Sequence, residues 1–124
     1  MNLVDSSGWL EYFTDGPNAS WFEKPLADPA TILVPTICLY EVFKVVLRER
    51  GEDAAFQAAA LMSQGRVIDL TSEIAIQAAK ASLDEKLPMA DSIILATGRS
   101  HGAMIWTQDE DFKDLPGVKY FKKG

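Results

Sequence analysis

Five short apolar runs punctuate this chain, and helical or loop pattern separates each from the next. They are the stretch through Leu3 and Val4 that ends in Asp5-Ser6-Ser7-Gly8, then Ala30–Val34, Arg66–Leu70, Ala103–Trp106 and Val118–Phe121. Strands this short and apolar, alternating with helices, predict an α/β fold with a parallel sheet covered on both faces. Crossovers are expected to be right-handed. Open sheets of this kind keep their chemistry at the carboxyl ends of the strands. Asp5 follows the first run directly, so it is the residue against which others are tested.

The connecting segments carry helix signals. Trp9–Phe13 is helix-like and is stopped by Asp15-Gly16-Pro17. Asn18 is placed to cap a second helix through Trp21 and Phe22. Pro35 suits the first turn of a helix that runs from Ile37 to a stop at Gly51. An Ala-rich helix is expected over Asp53–Ser63. Thr71 begins another, lasting to about Lys86, and Pro88 opens the next, which Gly102 ends. Gln108–Leu115 reads as an acidic loop or short helix.

The 124 residues need one domain, 1–124. No apolar run reaches the ~18 residues of a membrane span. No basic region followed by an apolar stretch marks a leader peptide, so a cytoplasmic protein is the expectation. Cys38 is the only cysteine and His101 the only histidine. An intrachain disulfide is therefore impossible, and a zinc site built from Cys or His ligands is disfavoured. Any Ser-His-Asp or Cys-His mechanism would need His101, which sits before Gly102 and reads as a helix end. The net charge of −6 does not attract nucleic acid as a whole-molecule field. A nucleic-acid substrate would require metal ions or a local basic surface.

Three further acids stand where apolar residues are expected to be buried, or beside a strand end. Glu41 has Ile37, Cys38, Val42 and Val45 as helical neighbours, which puts it on or beside a buried face. An ion pair with Lys44 is the plain alternative. Asp91 lies in the first turn of the helix opened by Pro88, where dipole compensation alone would explain it. Asp109 follows the Ala103–Trp106 strand in an acidic loop, which could simply be solvated. If the four acids converge, they repel one another unless a cation joins them. An oxygen-only donor set points to a hard divalent ion, Mg²⁺ or Mn²⁺, which can hold a phosphate and activate water.

The opening LVDSS, the strand-to-helix VPTICLYEV, the LPMADSIILATG segment and the WTQDEDF motif stand in this order along the chain. Together they resemble the PIN-domain ribonucleases, and most of all the VapC-type toxins of toxin–antitoxin pairs. The resemblance implies a three-layer α/β/α sandwich on a five-stranded parallel sheet of order 3-2-1-4-5. It implies an Mg²⁺- or Mn²⁺-dependent endoribonuclease whose acidic site is Asp5, Glu41, Asp91 and Asp109. Asp5, Asp91 and Asp109 would be metal ligands, with Glu41 acting through water. Ser6 and Thr107 would hydrogen-bond the carboxylates or water, and Asp111 stands at a motif position that often carries an acidic or other polar residue, outside the ligand set. It also implies products with a 5′ phosphate and a 3′ hydroxyl, a homodimer, and a small VapB-like antitoxin docked on the aromatic early helices.

Lys44, Arg48 and Lys86, with Lys80 and Arg99, are candidates to guide an RNA backbone. Trp9, Tyr12, Trp21 and Phe22 are candidates to stack bases or hold a partner, or else to pack in the core. Two other readings fit some of the same features. A catalytically idle PIN-like binding module would keep the fold without turnover. A dehalogenase-type aspartyl phosphotransferase also starts with a strand-end Asp, but it needs a second Asp where this chain has Ser7.

Overall fold

A computed structural model describes residues 1–124. The elements in order are β1 (Asn2–Val4), α1 (Ser6–Phe13), α2 (Ala19–Leu26), β2 (Ile32–Pro35), α3 (Thr36–Arg50), α4 (Glu52–Met62), β3 (Arg66–Ile68), α5 (Ser72–Glu85), α6 (Met89–Ser100), β4 (Met104–Thr107) and β5 (Val118–Tyr120). The strands form one parallel sheet of order β3-β2-β1-β4-β5, as the resemblance implies. Leu3, Val4, Ile32, Leu33, Val34 and Ile105 are all essentially inaccessible, because a parallel strand covered on both faces must be apolar at every position.

Two close approaches set the layers. A Cβ on Gly8 would stand 2.6 Å from Val4 Cγ1 and 2.7 Å from Phe22, so only glycine lets α1 and α2 close over β1 on one face. On the other face, a Cβ on Gly98 would meet Ile105 at 2.9 Å, which brings α6 onto β1 and β4. α5 packs outside α6 through Ile74, Ala78, Ile93 and Ala96. No helix is long and apolar enough to cross a membrane.

Several boundaries differ from the sequence expectation. The first helix starts at Ser6 rather than Trp9, because Asp5 is its N-cap and accepts from the Gly8 amide. Asn18 stands at the start of α2, but its side chain caps nothing there. It bridges Gln108 Oε1 at 3.0 Å and the Lys122 carbonyl at 2.9 Å instead. Pro35 ends β2 and precedes the helix rather than sitting in its first turn; its extended ψ of 140° suits a strand end. The third strand stops at Ile68, since Thr71 captures the Ile74 amide to open α5. His101 does close α6, with Nδ1 3.0 Å from the Thr97 carbonyl, and Gly102 follows at φ +63°.

Candidate active site

Asp5 leaves β1 at its carboxyl end, beside the carboxyl end of β4, and its amide donates to the Trp106 carbonyl. Its side chain is almost wholly buried. Oδ1 accepts from Ser7 Oγ at 2.7 Å and from the Gly8 amide at 2.9 Å. Oδ2 accepts from Thr107 Oγ1 at 2.6 Å. Burial raises its pKa from 3.8 to about 6. The three hydrogen bonds hold it down against that, and the charge of Asp109 adds to the rise.

The hydroxyls that hold Asp5 are themselves held. Thr107 Oγ1 accepts from the Asp109 amide at 2.9 Å, and Ser7 Oγ accepts from the Gln108 amide at 3.2 Å. The loop carrying Asp109 is thereby tied to the same hydroxyls that orient Asp5. Asp109 in turn caps the 3₁₀ turn over Glu110–Phe112, accepting from the Asp111 amide at 2.9 Å. That turn swings Asp111 back toward α6.

Asp91 comes from the other side, in the first turn of α6, and is half-buried. Carboxylate oxygens of Asp91, Asp109 and Asp111 all lie within 4.8 Å of one another. The Asp91 carboxyl is held well above the usual carboxylate range. Burial is the largest cause, followed by its hydrogen bond with Asp111 and the charges of Asp109, Asp111 and Asp5. A trio of this kind is unfavourable without a cation. Its all-oxygen donor set suits a hard divalent ion rather than zinc or copper.

Glu41 reaches the same end of the sheet from α3. Its Oε1 accepts from Ser6 Oγ at 2.7 Å across the start of α1. The ion pair with Lys44 is absent: the chain has two ion pairs, Arg48–Glu49 and Arg99–Glu85. Lys44 lies instead over the Tyr40 ring, 5.6 Å from its centroid. Cys38, fully buried one turn before Glu41, contacts Ser6. Burial pushes its thiol far up, and the charges of Asp5 and Glu41 add to this, so it stays a neutral packing group.

The expected acids thus occupy one end of the sheet, in two tiers. Asp91 and Asp109 meet, and Asp111 joins them more closely than the sequence suggests. Asp5 and Glu41 stand outside that trio and are bound by hydroxyls. Ser7 is the residue absent from the sequence expectations for the site. A serine two places after an Asp N-cap is the signal that finds it, and taking Trp9 as the helix start conceals that signal. Of the expected backbone guides, Lys44, Lys80 and Lys86 are exposed, Arg48 pairs with Glu49 at 3.4 Å, and Arg99 makes a two-pronged pair with Glu85 at 2.7 and 2.8 Å. A groove of about 440 Å³ runs past Ser7, which binds Asp5, and Gln108, which precedes Asp109, over an apolar floor that includes Leu10, Phe13, Val46 and Leu61.

No curated protein sequence matches the chain. Among solved structures it is similar to a toxin–antitoxin complex from Klebsiella pneumoniae, with 25% identity, a TM-score of 0.81 and 96% of each chain covered. It is also similar to VapC20 of Mycobacterium tuberculosis, a toxin described as cleaving the sarcin-ricin loop, at 22% identity and a TM-score of 0.75 over 90% of this chain and 92% of that one. VapBC2 of Rickettsia felis, bound to a DNA fragment from its promoter, shares the fold at 15% identity, a TM-score of 0.76 and 98% coverage of both chains. The PIN domain family model matches residues 3–118, which run from within β1 to the start of β5 and include every acid described above. With its sheet order, its strand-end acids and this match over nearly the whole chain, the protein belongs to the PIN domain family.

Proposed function

We propose that the protein is a divalent-metal-dependent endoribonuclease, the VapC-type toxin of a toxin–antitoxin pair. The observation that carries this reading is the convergence of Asp91, Asp109 and Asp111 within 4.8 Å, in front of a buried, hydroxyl-bound Asp5. Asp91 and Asp109, with Asp111 and Asp5 beside them, would hold one or two Mg²⁺ or Mn²⁺ ions. When bound, such an ion neutralises the scissile phosphate and acidifies water. The chain's own part is to orient and to move protons. Ser7, Gly8 and Thr107 fix Asp5 so that its carboxylate does not reorganise during the reaction. Glu41, oriented by Ser6, takes the proton of the attacking water. The substrate RNA is then cut to a 5′ phosphate and a 3′ hydroxyl.

The apolar groove beside Ser7 and Gln108 suits the amphipathic helix of an antitoxin. Exposed Ile76, Leu83 and Met89 on α5 and at the start of α6 support a homodimer. Cleavage of structured RNA by the purified protein, with Mg²⁺ or Mn²⁺ and with chelator, tests the enzyme. Metal-dependent cuts leaving 5′ phosphates are expected, and they should vanish in Asp91→Asn. Cleavage that persists in chelator, or RNA binding with no turnover, would sink the reading. Light scattering of the free protein tests the dimer.

A further inference from the structure

Cations and aromatic rings form one continuous ladder on the β5 side of the molecule. Lys24 Nζ lies 4.3 Å from the Trp21 ring centroid. Trp21 stacks on Phe121 with centroids 5.3 Å apart and planes at 16°. Phe121 meets Trp106 at 5.9 Å, and Lys119 Nζ lies 4.4 Å over the Trp106 ring. Lys122 follows Phe121 directly. All three lysines are exposed, and none is in either of the chain's ion pairs. The stretch Val118–Gly124 contains no acid, and Glu23 is the only acid on α2. In a chain of net charge −6, this is a local surface of the opposite sign.

The Phe121–Lys122 end of the ladder is also fastened beside the acidic pocket. The Phe121 amide donates to the Thr107 carbonyl at 2.9 Å, and the Thr107 hydroxyl binds Asp5. Asn18 ties the Lys122 carbonyl to Gln108, the residue before Asp109. Phe121 and Lys122 therefore leave the sheet at the same end as the acids, on backbone held by these hydrogen bonds. A lysine held over a ring loses little further freedom when it meets an anion, and the ring does not neutralise it.

We infer that Lys24, Lys119 and Lys122, arrayed around Phe121, bind the phosphate backbone of the RNA strand where it enters or leaves the acidic pocket. This rests on the ribonuclease reading and gives that site the local cationic surface the whole-molecule charge denies it. The chemistry recognised is a single-stranded polyanion, since the ladder offers point charges and ring edges rather than a base-reading groove. The lysines act in binding and positioning, apart from the chemical step.

The test uses the full-length chain carrying Lys119→Glu and Lys122→Glu together. Each single Lys→Glu variant is also made, and Arg66→Glu, on β3 at the opposite edge of the sheet, changes the net charge by the same amount as either single variant and is their control. Cleavage kinetics with Mg²⁺ or Mn²⁺, and anisotropy of a labelled single-stranded RNA in chelator, are followed against salt. The expected result is at least a tenfold rise in KM and Kd with kcat unchanged. The slope of log Kd against log salt should fall by about 1.4, at ~0.7 for each single-strand phosphate that is no longer neutralised. Lys→Arg at both positions should restore affinity, and tryptophan fluorescence reports whether Trp106 keeps its surroundings. An unchanged KM with wild-type cleavage intact overturns the inference, as does an equal loss in Arg66→Glu. Escape from antitoxin inhibition at unaltered RNA affinity overturns it too, by making the face a protein interface. A wild-type chain that cuts no RNA removes the ribonuclease reading, and this inference with it.

Discussion

The two tiers of acids at the carboxyl end of the sheet are built in opposite ways. Asp5 is buried and meets three donors, from Ser7, Gly8 and Thr107, before any ligand arrives. Asp91, Asp109 and Asp111 are half-buried or exposed and mainly meet one another. The inner carboxylate takes its geometry from hydrogen bonds within its own chain. The outer three hold theirs against mutual repulsion and lack a counter-charge. A rigid inner acid and a frustrated outer set are what an ion-binding site needs: one fixes position, the other supplies the driving force for binding.

The two tiers should differ most in their response to substitution at Asp91. Asp91→Asn should lower cleavage by about 10²–10³-fold, the scale on which a single electrostatic stabiliser contributes. The same variant should raise the melting temperature of the metal-free protein above about pH 8, where Asp91 ionises beside Asp109 and Asp111, because it relieves the repulsion. Lower activity together with lower metal-free stability would mark Asp91 as structural.

The inner tier predicts a pH dependence. Asp5 holds its proton up to about pH 6 in the folded protein and releases it near 3.8 when unfolded. The native state therefore binds more protons between those values. Metal-free stability should fall as pH rises from about 3.8 to about 6, by up to ~3 kcal/mol, and level off above for this group. Asp91, also raised, extends the same trend to higher pH. Denaturant melts across pH 4–7 measure the slope, and Asp5→Asn should flatten its lower part. A stability that rises with pH over this interval would contradict an Asp5 whose burial outweighs its three hydrogen bonds.

Divalent ion should act on the outer tier. Saturation at 100 times the Kd stabilises the fold by ~2.7 kcal/mol. The Mg²⁺- or Mn²⁺-dependent shift in melting temperature should disappear in Asp109→Asn and survive in Arg66→Glu. A shift retained without Asp109 would place the ion elsewhere. The smallest effect belongs to Ser7→Ala, which removes one donor from Asp5 at a cost of ~1 kcal/mol. It should move the inner pH transition upward, because the Ser7 hydrogen bond is one of the forces lowering the Asp5 pKa. An unmoved transition would leave Ser7 with packing alone.

Much of the candidate site is legible in the chain. Strand-end acids such as Asp5 and Asp109 are found by locating the strands, and Asp91 by locating Pro88 ahead of a helix. Glu41 betrays itself by its apolar helical neighbours. Asp111 is harder, because its value depends on the 3₁₀ turn that Asp109 caps, and an acidic loop alone does not specify that turn. Ser7 is hidden when the helix is started at Trp9. The extended backbone of Asp5, with ψ 176°, and its hydrogen bond to the Gly8 amide belong to a cap, and a cap begins the helix at once. The lysines of the ladder escape sequence reading because no local pattern joins Lys24 to Lys119; Phe121 joins them only in space.

Periodicity and residue type by themselves determined the α/β class, the strand count and the acids at the strand ends, since these follow from local hydrophobic pattern and backbone preference. Sheet order came with the family resemblance rather than from the pattern. Tertiary structure alone decided which acids touch, which hydroxyl serves which carboxylate, and that Lys44 covers a ring rather than pairing with Glu41. Those outcomes depend on ångström-scale distances between segments far apart in the chain. They are set by how closely Gly8 and Gly98 let helices approach the sheet, and a linear pattern does not encode that distance.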